Sequence, residues 1–225
     1  MMRVACVMRS GGAYSLDWVW KLAAGLVRHT PAAQLVCLTD LVAEPCTERG
    51  VIIEPLPGPW GGWWSKMSLW GPHFYEPGLT LFLDLDTVIV GDVSPFFDYA
   101  GDLAMMRDFN LREHREVTGK PAIGSAVVVW RGDAMGPVYR AFVKDPAAAI
   151  RAHPRRMDHF IRRHLPPCEY VQDLWPGLIG SAKNRFAGWL PGPPAGAALL
   201  CTWGKPRIDQ LPLTHWYRKL WEEQC

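Results

Sequence analysis

Apolar positions along the chain follow two alternating rhythms. Short apolar runs bounded by Gly, Pro or polar residues recur as "VACVM" (4–8), "QLVCLTD" (34–40), "GVIIEPL" (50–56), "GLTLFLDLD" (78–86), "DLAMM" (102–106), "GSAVVVW" (124–130) and "GAALLCTW" (196–203). Runs of that length and content predict buried strands. Between the first two lies 15–29, where Leu16, Val19, Trp20, Ala23, Leu26 and Val27 recur at helical spacing, with Ser15 placed to cap it. Helices are also predicted over 64–71, 135–145, 156–165 and 212–224, the last with Thr214 as its cap. The Pro/Gly-rich stretches 57–64 and 191–196 read as connections. Strands alternating with helices predict an α/β sheet covered on both faces. Ligands of such sheets bind beyond the carboxyl ends of the strands. Arg9–Gly12, Asp40 and the pair Asp84/Asp86 emerge there.

Composition narrows the class. A chain of 225 residues with 49% hydrophobic content can bury roughly 70% of its unfolded surface in one core. One domain over 1–225 is expected, divided at about residue 100 into two parts. A net charge of +2 gives no reason to expect a nucleic acid or a membrane as partner. The six cysteines are scattered, with no CxxC and no zinc spacing; Cys6 and Cys37, inside apolar runs, read as buried thiols, and disulfides are not expected. Met1–Gly12 lacks the apolar core and cleavage site of a signal peptide. No apolar run reaches the ~20 residues that cross a bilayer, so a cytoplasmic location is expected.

The stretch "LFLDLDTVIVGD" (81–92) carries the candidate chemistry. If the strand runs through 86, Asp84 and Asp86 share one face, about 6.6 Å apart at Cα. Two carboxylates about 5 Å apart repel by ~3 kcal/mol at an effective dielectric near 20. A bound cation, a shared proton or a neighbouring Lys or Arg must offset that. Hard oxygen ligands suit Mg²⁺ or Mn²⁺ completed by substrate phosphate. Two solvated acids are the inert alternative. "DLDTV" also fits the nucleophile motif of haloacid-dehalogenase-type phosphatases, with Asp84 attacking phosphorus and Asp86 as acid/base. That motif normally opens its domain, however, and about 80 residues precede it here.

A wider resemblance favours a transferase. "WSKMSLWGPHFYEPGLTLFLDLDTVIVGDVSPFF" resembles the glycogenin-like and lipopolysaccharide galactosyltransferase-like families of GT-A fold. There a Lys-bearing helix, a spacer, a DxD strand and a Pro/Phe turn follow in that order. "GSAVVVW", "MDHFI" (157–161) and "LLCTWGKPRI" (199–208) resemble their later motifs, so that the likeness spans about residues 3–208. The resemblance implies a Rossmann-like mixed sheet and a glycosyltransferase moving a hexose-type sugar, with retention, from a nucleotide-diphosphate sugar to a glycan, lipid or small-molecule acceptor.

It further implies that Asp84 and Asp86 hold a divalent cation, Mn²⁺ or Mg²⁺, on the donor diphosphate. Lys66 would reach the sugar or phosphate. Arg9, Gly11, Gly12, Tyr14 and Asp40 would bind the nucleotide, Tyr14 by stacking on the base. Ser125 and Asp158 would line the sugar and acceptor side as the catalytic pair. Lys205, and after it Lys183, would face the diphosphate. Where the family places a further metal-ligating His, this chain has Cys201 and Trp203; His153, His159, His215, Asp108 or water could replace it. The "NSG" Asn is Gly124 here and the "DQ" Gln is His159.

Two features remain open. Trp60, Trp63, Trp64 and Trp70 cluster before the DxD segment and read as core packing or as a sugar platform. The run "RAHPRRMDHFIRRH" (151–164) concentrates five Arg and three His. It reads as a solvated face, as a site for an acidic acceptor, or as an RNA contact in a non-enzyme. An inactive anion-binding relative is the last alternative.

Overall fold

The computed structural model describes residues 2–41, 50–109, 122–154, 156–184 and 188–224. Its strands are β1 (Met2–Met8), β2 (Ala33–Thr39), β3 (Val51–Pro55), β4 (Leu79–Leu83), β5 (Val88–Ile89), β6 (Leu103–Arg107), β7 (Ile123–Arg131), β8 (Glu169–Tyr170), β9 (Ile179–Ser181), β10 (Lys183–Asn184), β11 (Gly188–Trp189) and β12 (Leu199–Cys201). Its α-helices are α1 (Leu16–His29), α2 (Gly136–Lys144), α3 (Pro146–Ala152), α4 (Met157–His164), α5 (Val171–Leu174) and α6 (Trp216–Glu222). A seven-stranded mixed sheet runs in the order β3-β2-β1-β4-β7-β6-β8. The first four of these strands are mutually parallel and β7 is antiparallel to both β4 and β6.

Alternation within β1 explains why both faces need cover. Val4, Cys6 and Met8 point into one apolar layer with α1, α6 and β12. Ala5 points into the other, with Phe82, Val128, Trp130, α2 and α4. Strands buried on both faces read as continuous apolar runs, which is why the sequence pattern found them. A smaller sheet, β5-β12-β9, carries the Cys201 end towards β4, and β10 pairs with β11. Strands of two or three residues show no periodicity, and none of β5, β8, β9, β10 and β11 was expected.

Several boundaries differ from the sequence expectation. Along α1 the buried positions are Trp18, Val19, Leu22, Ala23 and Leu26, with Lys21. Val27 is solvent-exposed. Lys21 is buried because its ammonium meets Glu222 at 2.7 Å and lies over the Trp221 ring, tying α1 to α6. Ser15 holds the N-cap position without a capping bond from its side chain. In α6 the cap is His215, whose Nδ1 accepts from the Tyr217 N–H, and not Thr214. The expected helix over 64–71 is a 3-10 helix, Gly62–Trp70.

In β7 the pairing with β6 jumps from Met105↔Val128 to Met106↔Gly124. Such a bulge re-aims side chains and recurs beside active sites. Here it leaves Ser125 and Ala126 free of β6 and turned towards the end of β4. Phe82 is fully buried in the middle of the sheet. Phe82→Ala should therefore lower the unfolding free energy by about 3–5 kcal/mol, read as a lowered urea midpoint at unchanged slope.

Candidate active site

A cleft of about 720 Å³ opens at the carboxyl ends of β1 and β4, within the range of small-molecule sites. Arg9–Tyr14 follow β1 along one wall, and Lys66 enters from the 3-10 helix. Asp84–Asp86 form the floor, with Asp108, Ser125, Arg156 and Asp158 opposite and Cys201–Gly204 closing the side.

The two acids do not stand on a strand. β4 ends at Leu83, and 84–87 is a turn in which the Thr87 N–H donates to the Asp84 carbonyl at 3.0 Å. The alternation argument for a shared strand face therefore fails, yet both carboxylates reach the cleft because the turn aims them there. Leu85 between them remains in the core. Backbone anchors hold the turn: the Asp84 N–H donates to the Ala126 carbonyl at 3.0 Å, and the Tyr217 hydroxyl donates to the Asp86 carbonyl at 3.2 Å.

Each carboxylate has a different partner. The Lys66 ammonium lies 2.5 Å from Asp84 and also reaches the Ser125 hydroxyl and carbonyl at 3.4 and 3.5 Å. In a 3-10 helix, residues three apart eclipse. Trp64, Met67 and Trp70 form a buried row of this one, while Trp63 and Lys66, with Gly62 and Ser65, line the cleft. Asp86 accepts from the Tyr14 hydroxyl at 3.0 Å. Burial pushes the Asp86 carboxyl up to about 6, the charge of Asp84 adds to this, and the Tyr14 bond works against it. Burial also raises Asp84 against the pull of Lys66, with Asp158 adding to the rise. Asp158 Oδ1 is buried and has no hydrogen-bond partner. The floor is thus a concentration of negative charge with Lys66 as its inner cation.

No family model and no curated protein matches the sequence. Solved structures do resemble the fold. The glycosyltransferase GlyE of Streptococcus pneumoniae TIGR4 superposes with a TM-score of 0.70 at 13% identity, over 100% of this chain and 61% of that one. The galactosyltransferase LgtC, in complex with donor and acceptor sugar analogs, superposes with a TM-score of 0.65 at 13% identity, over 99% and 96%. The bifunctional glycosyltransferase WbbM gives 0.61 at 9% identity, over 99% and 49%. The fold is of GT-A type. The chain spans 61% of the length of GlyE, and at these identities the fold is what is shared.

Within this GT-A frame the other expected residues separate. The Asp40 carboxylate accepts from the Ser10 N–H at 2.7 Å and its hydroxyl at 2.8 Å, which pins the turn after β1 to the end of β2. Arg9 lies 4.0 Å from Asp40 and donates to the Gly58 carbonyl at 2.9 Å. Gly11 takes a φ of 73°, which favours glycine, and neither Gly11 nor Gly12 crowds the opening. Lys205 is exposed and outside the cleft lining, and Lys183 is buried behind the wall.

His153, His159 and His215 do not line the cleft, whereas Asp108 and Cys201 do. Burial drives the Cys201 thiol strongly upward, which suits it poorly to bind a hard cation. Trp60, Trp64 and Trp70 pack in the core layers, while Trp63 is 47% exposed on the cleft wall. In the basic run, Arg163, His159 and His164 face solvent and Arg156 turns inward to pair with Asp108 at 3.1 Å. Arg155 lies outside the described residues, as do Cys46 and Cys225.

Sequence reasoning overlooked Ser10 as the partner of Asp40, the bracing of Arg207 by Asp209, and the pairing of Asp108, named there only as a possible replacement metal ligand, with Arg156. The Ser10 bonds hold the Asp40 carboxyl below its ordinary value. Ionised Asp40 therefore adds stability above the ordinary 3.8, which is lost as pH falls through the lower, folded value. Asp40→Asn should cost about 1 kcal/mol at pH 7. The difference from wild type should narrow as pH falls below 3.8 in melts run across pH.

Proposed function

We propose that the chain is a glycosyltransferase that takes a sugar from a nucleotide-diphosphate donor. The observation that carries this reading is the acidic turn 84–86 on the floor of a GT-A cleft, where Asp86 meets a phenol rather than a cation. Two half-buried carboxylates suit Mg²⁺ or Mn²⁺, which commonly bind through one or two carboxylates and substrate phosphate. Among the described residues no third His, Cys, Asp or Glu completes a protein-only site, in keeping with donor oxygens and water as the remaining ligands. The cation would neutralise charge on the departing nucleoside diphosphate.

The chain's own residues would divide the remaining work. Lys66 holds Asp84 and Ser125 in register and offers its ammonium to the donor sugar. Arg9, Gly11, Gly12, Tyr14 and Asp40 form the nucleotide end, with Tyr14 held edge-on against Trp18. Asp158, whose buried Oδ1 has no partner, and Ser125 form the sugar and acceptor side. Lys205 stands at the exposed rim towards the phosphates. Retention at the anomeric carbon is part of this reading, as is an acceptor among glycans, lipids or small molecules. LgtC has been solved in complex with donor and acceptor sugar analogs, which supports a sugar acceptor here. The phosphatase alternative is not favoured, because the structural neighbours are glycosyltransferases.

No helix among the described residues is long and apolar enough to cross a membrane. Cys6, Cys37 and Cys201 are free thiols, which supports a reducing, cytoplasmic setting. UDP or GDP with Mn²⁺ should raise the melting temperature, since a ligand at 100 times its Kd adds about 2.7 kcal/mol. Asp86→Asn should abolish the metal-dependent part of that rise. A wild-type chain indifferent to every nucleoside diphosphate, with and without metal, would remove the basis of the proposal.

A further inference from the structure

Lys183 opens β10 and is 8% exposed, yet it does not line the cleft. Its ammonium donates to the carbonyls of Trp203 at 2.7 Å, Pro206 at 3.2 Å and Lys205 at 3.4 Å. It also lies 4.3 Å over the Trp189 ring. An ammonium has three donors and no acceptor, so three converging carbonyls use its whole capacity. Burial pulls its pKa down while the charge of Asp86 opposes that pull. A buried ammonium without acceptors is costly. The lysine and the 203–206 loop therefore stabilise one another.

That loop continues the wall made by Cys201–Gly204 beside Asp86. Across a trans peptide the C=O and N–H point in opposite directions. Turning the Trp203 carbonyl towards Lys183 turns the Gly204 N–H away from it. Among the described residues that N–H has no backbone acceptor, and Gly204 holds a φ of 62°. Three residues on, Arg207 is braced by Asp209 through Nε at 3.1 Å and Nη2 at 3.0 Å. Asp209 leaves Nη1 unused; Arg207 does not itself line the cleft, but it lies near enough for its charge to be felt at Tyr14 and Asp86.

We infer that Lys183 is a positioning residue for a phosphate-binding loop, gathering 203–206 so that the Gly204 amide and the Arg207 guanidinium are offered to the donor diphosphate. Lys183 itself touches no phosphate. The inference rests on reading the site as that of a nucleotide-diphosphate donor. Charge-assisted, fork-shaped contacts of an Arg with phosphate are strong and geometrically selective, so a small displacement of the loop should be felt in binding.

The test titrates the full chain with inorganic pyrophosphate, UDP and GDP, each with Mn²⁺, beside hydrogen exchange of the 201–207 amides. Lys183→Met should quicken exchange in that segment and weaken pyrophosphate binding about tenfold. Arg207→Gln should weaken binding by a similar factor at unchanged exchange. The double variant should fall well short of the product of the two losses, because both act through one loop. Faster exchange with unaltered affinity in Lys183→Met would make the lysine a mere prop and overturn the inference. Should that variant not fold, unaltered affinity in Arg207→Gln, a partly exposed position, would overturn it equally. A wild type that binds pyrophosphate but neither nucleotide, with the variant losses intact, would sustain the loop and refute the donor.

Discussion

Two carboxylates share the end of a β-strand in a partly desolvated cleft, and the surrounding architecture is arranged around that repulsion. Asp84 and Asp86 cannot both be ionised at such a site without compensation. The fold supplies it unequally: Lys66 brings a full charge to Asp84, whereas Tyr14 brings only a hydroxyl to Asp86. The imbalance leaves Asp86 the less compensated of the two, its carboxyl pushed upward by burial. It also explains why the β4–β7 ladder extends one bond past Leu83 and why Tyr217, from the far end of the chain, ties the Asp86 carbonyl. Without those anchors the turn could relax and separate the charges.

The basic residues fall into three kinds that share one formal charge. Lys66 works inside the cleft because the 3-10 row directs it there. Lys183 works behind the wall, where its donors are consumed by carbonyls. Arg207 sits at the edge, braced by Asp209 and sensing Asp86 and Tyr14 electrostatically. Lys66 thus faces the acids of the floor, while Lys183 and Arg207 spend their donors on backbone carbonyls and on Asp209 outside it.

Legibility in the sequence varied with element length and with the range of the contacts. The parallel strands β1–β4 were legible because burial on both faces makes their apolar runs unbroken. The hairpin-like pieces β9–β11 were not, since two or three residues carry no period. Asp84 and Asp86 line the cleft, as do Asp108 and Asp158, but the strand alternation from which they were argued does not hold. The strand stops at Leu83, three residues short of Asp86, and a turn does what alternation was expected to do. Of the four clustered Trp residues, local sequence could not tell Trp63 from its neighbours, because only the fold decides that the Trp64 and Trp70 side of the 3-10 helix is buried and the Trp63 side lines the cleft.

Local chemistry determined where strands begin, which residues punctuate them and that two acids interrupt the most apolar run. Those properties follow from side-chain hydrophobicity and backbone freedom within a few residues. Tertiary structure alone decided which cation meets which acid. Lys66 and Asp84, Tyr14 and Asp86, and Lys183 and the 203–206 loop are brought together by sheet order, a β-bulge and the return of the chain through β12. Charges act through space rather than along the chain, so their pairing was settled only once the sheet had formed.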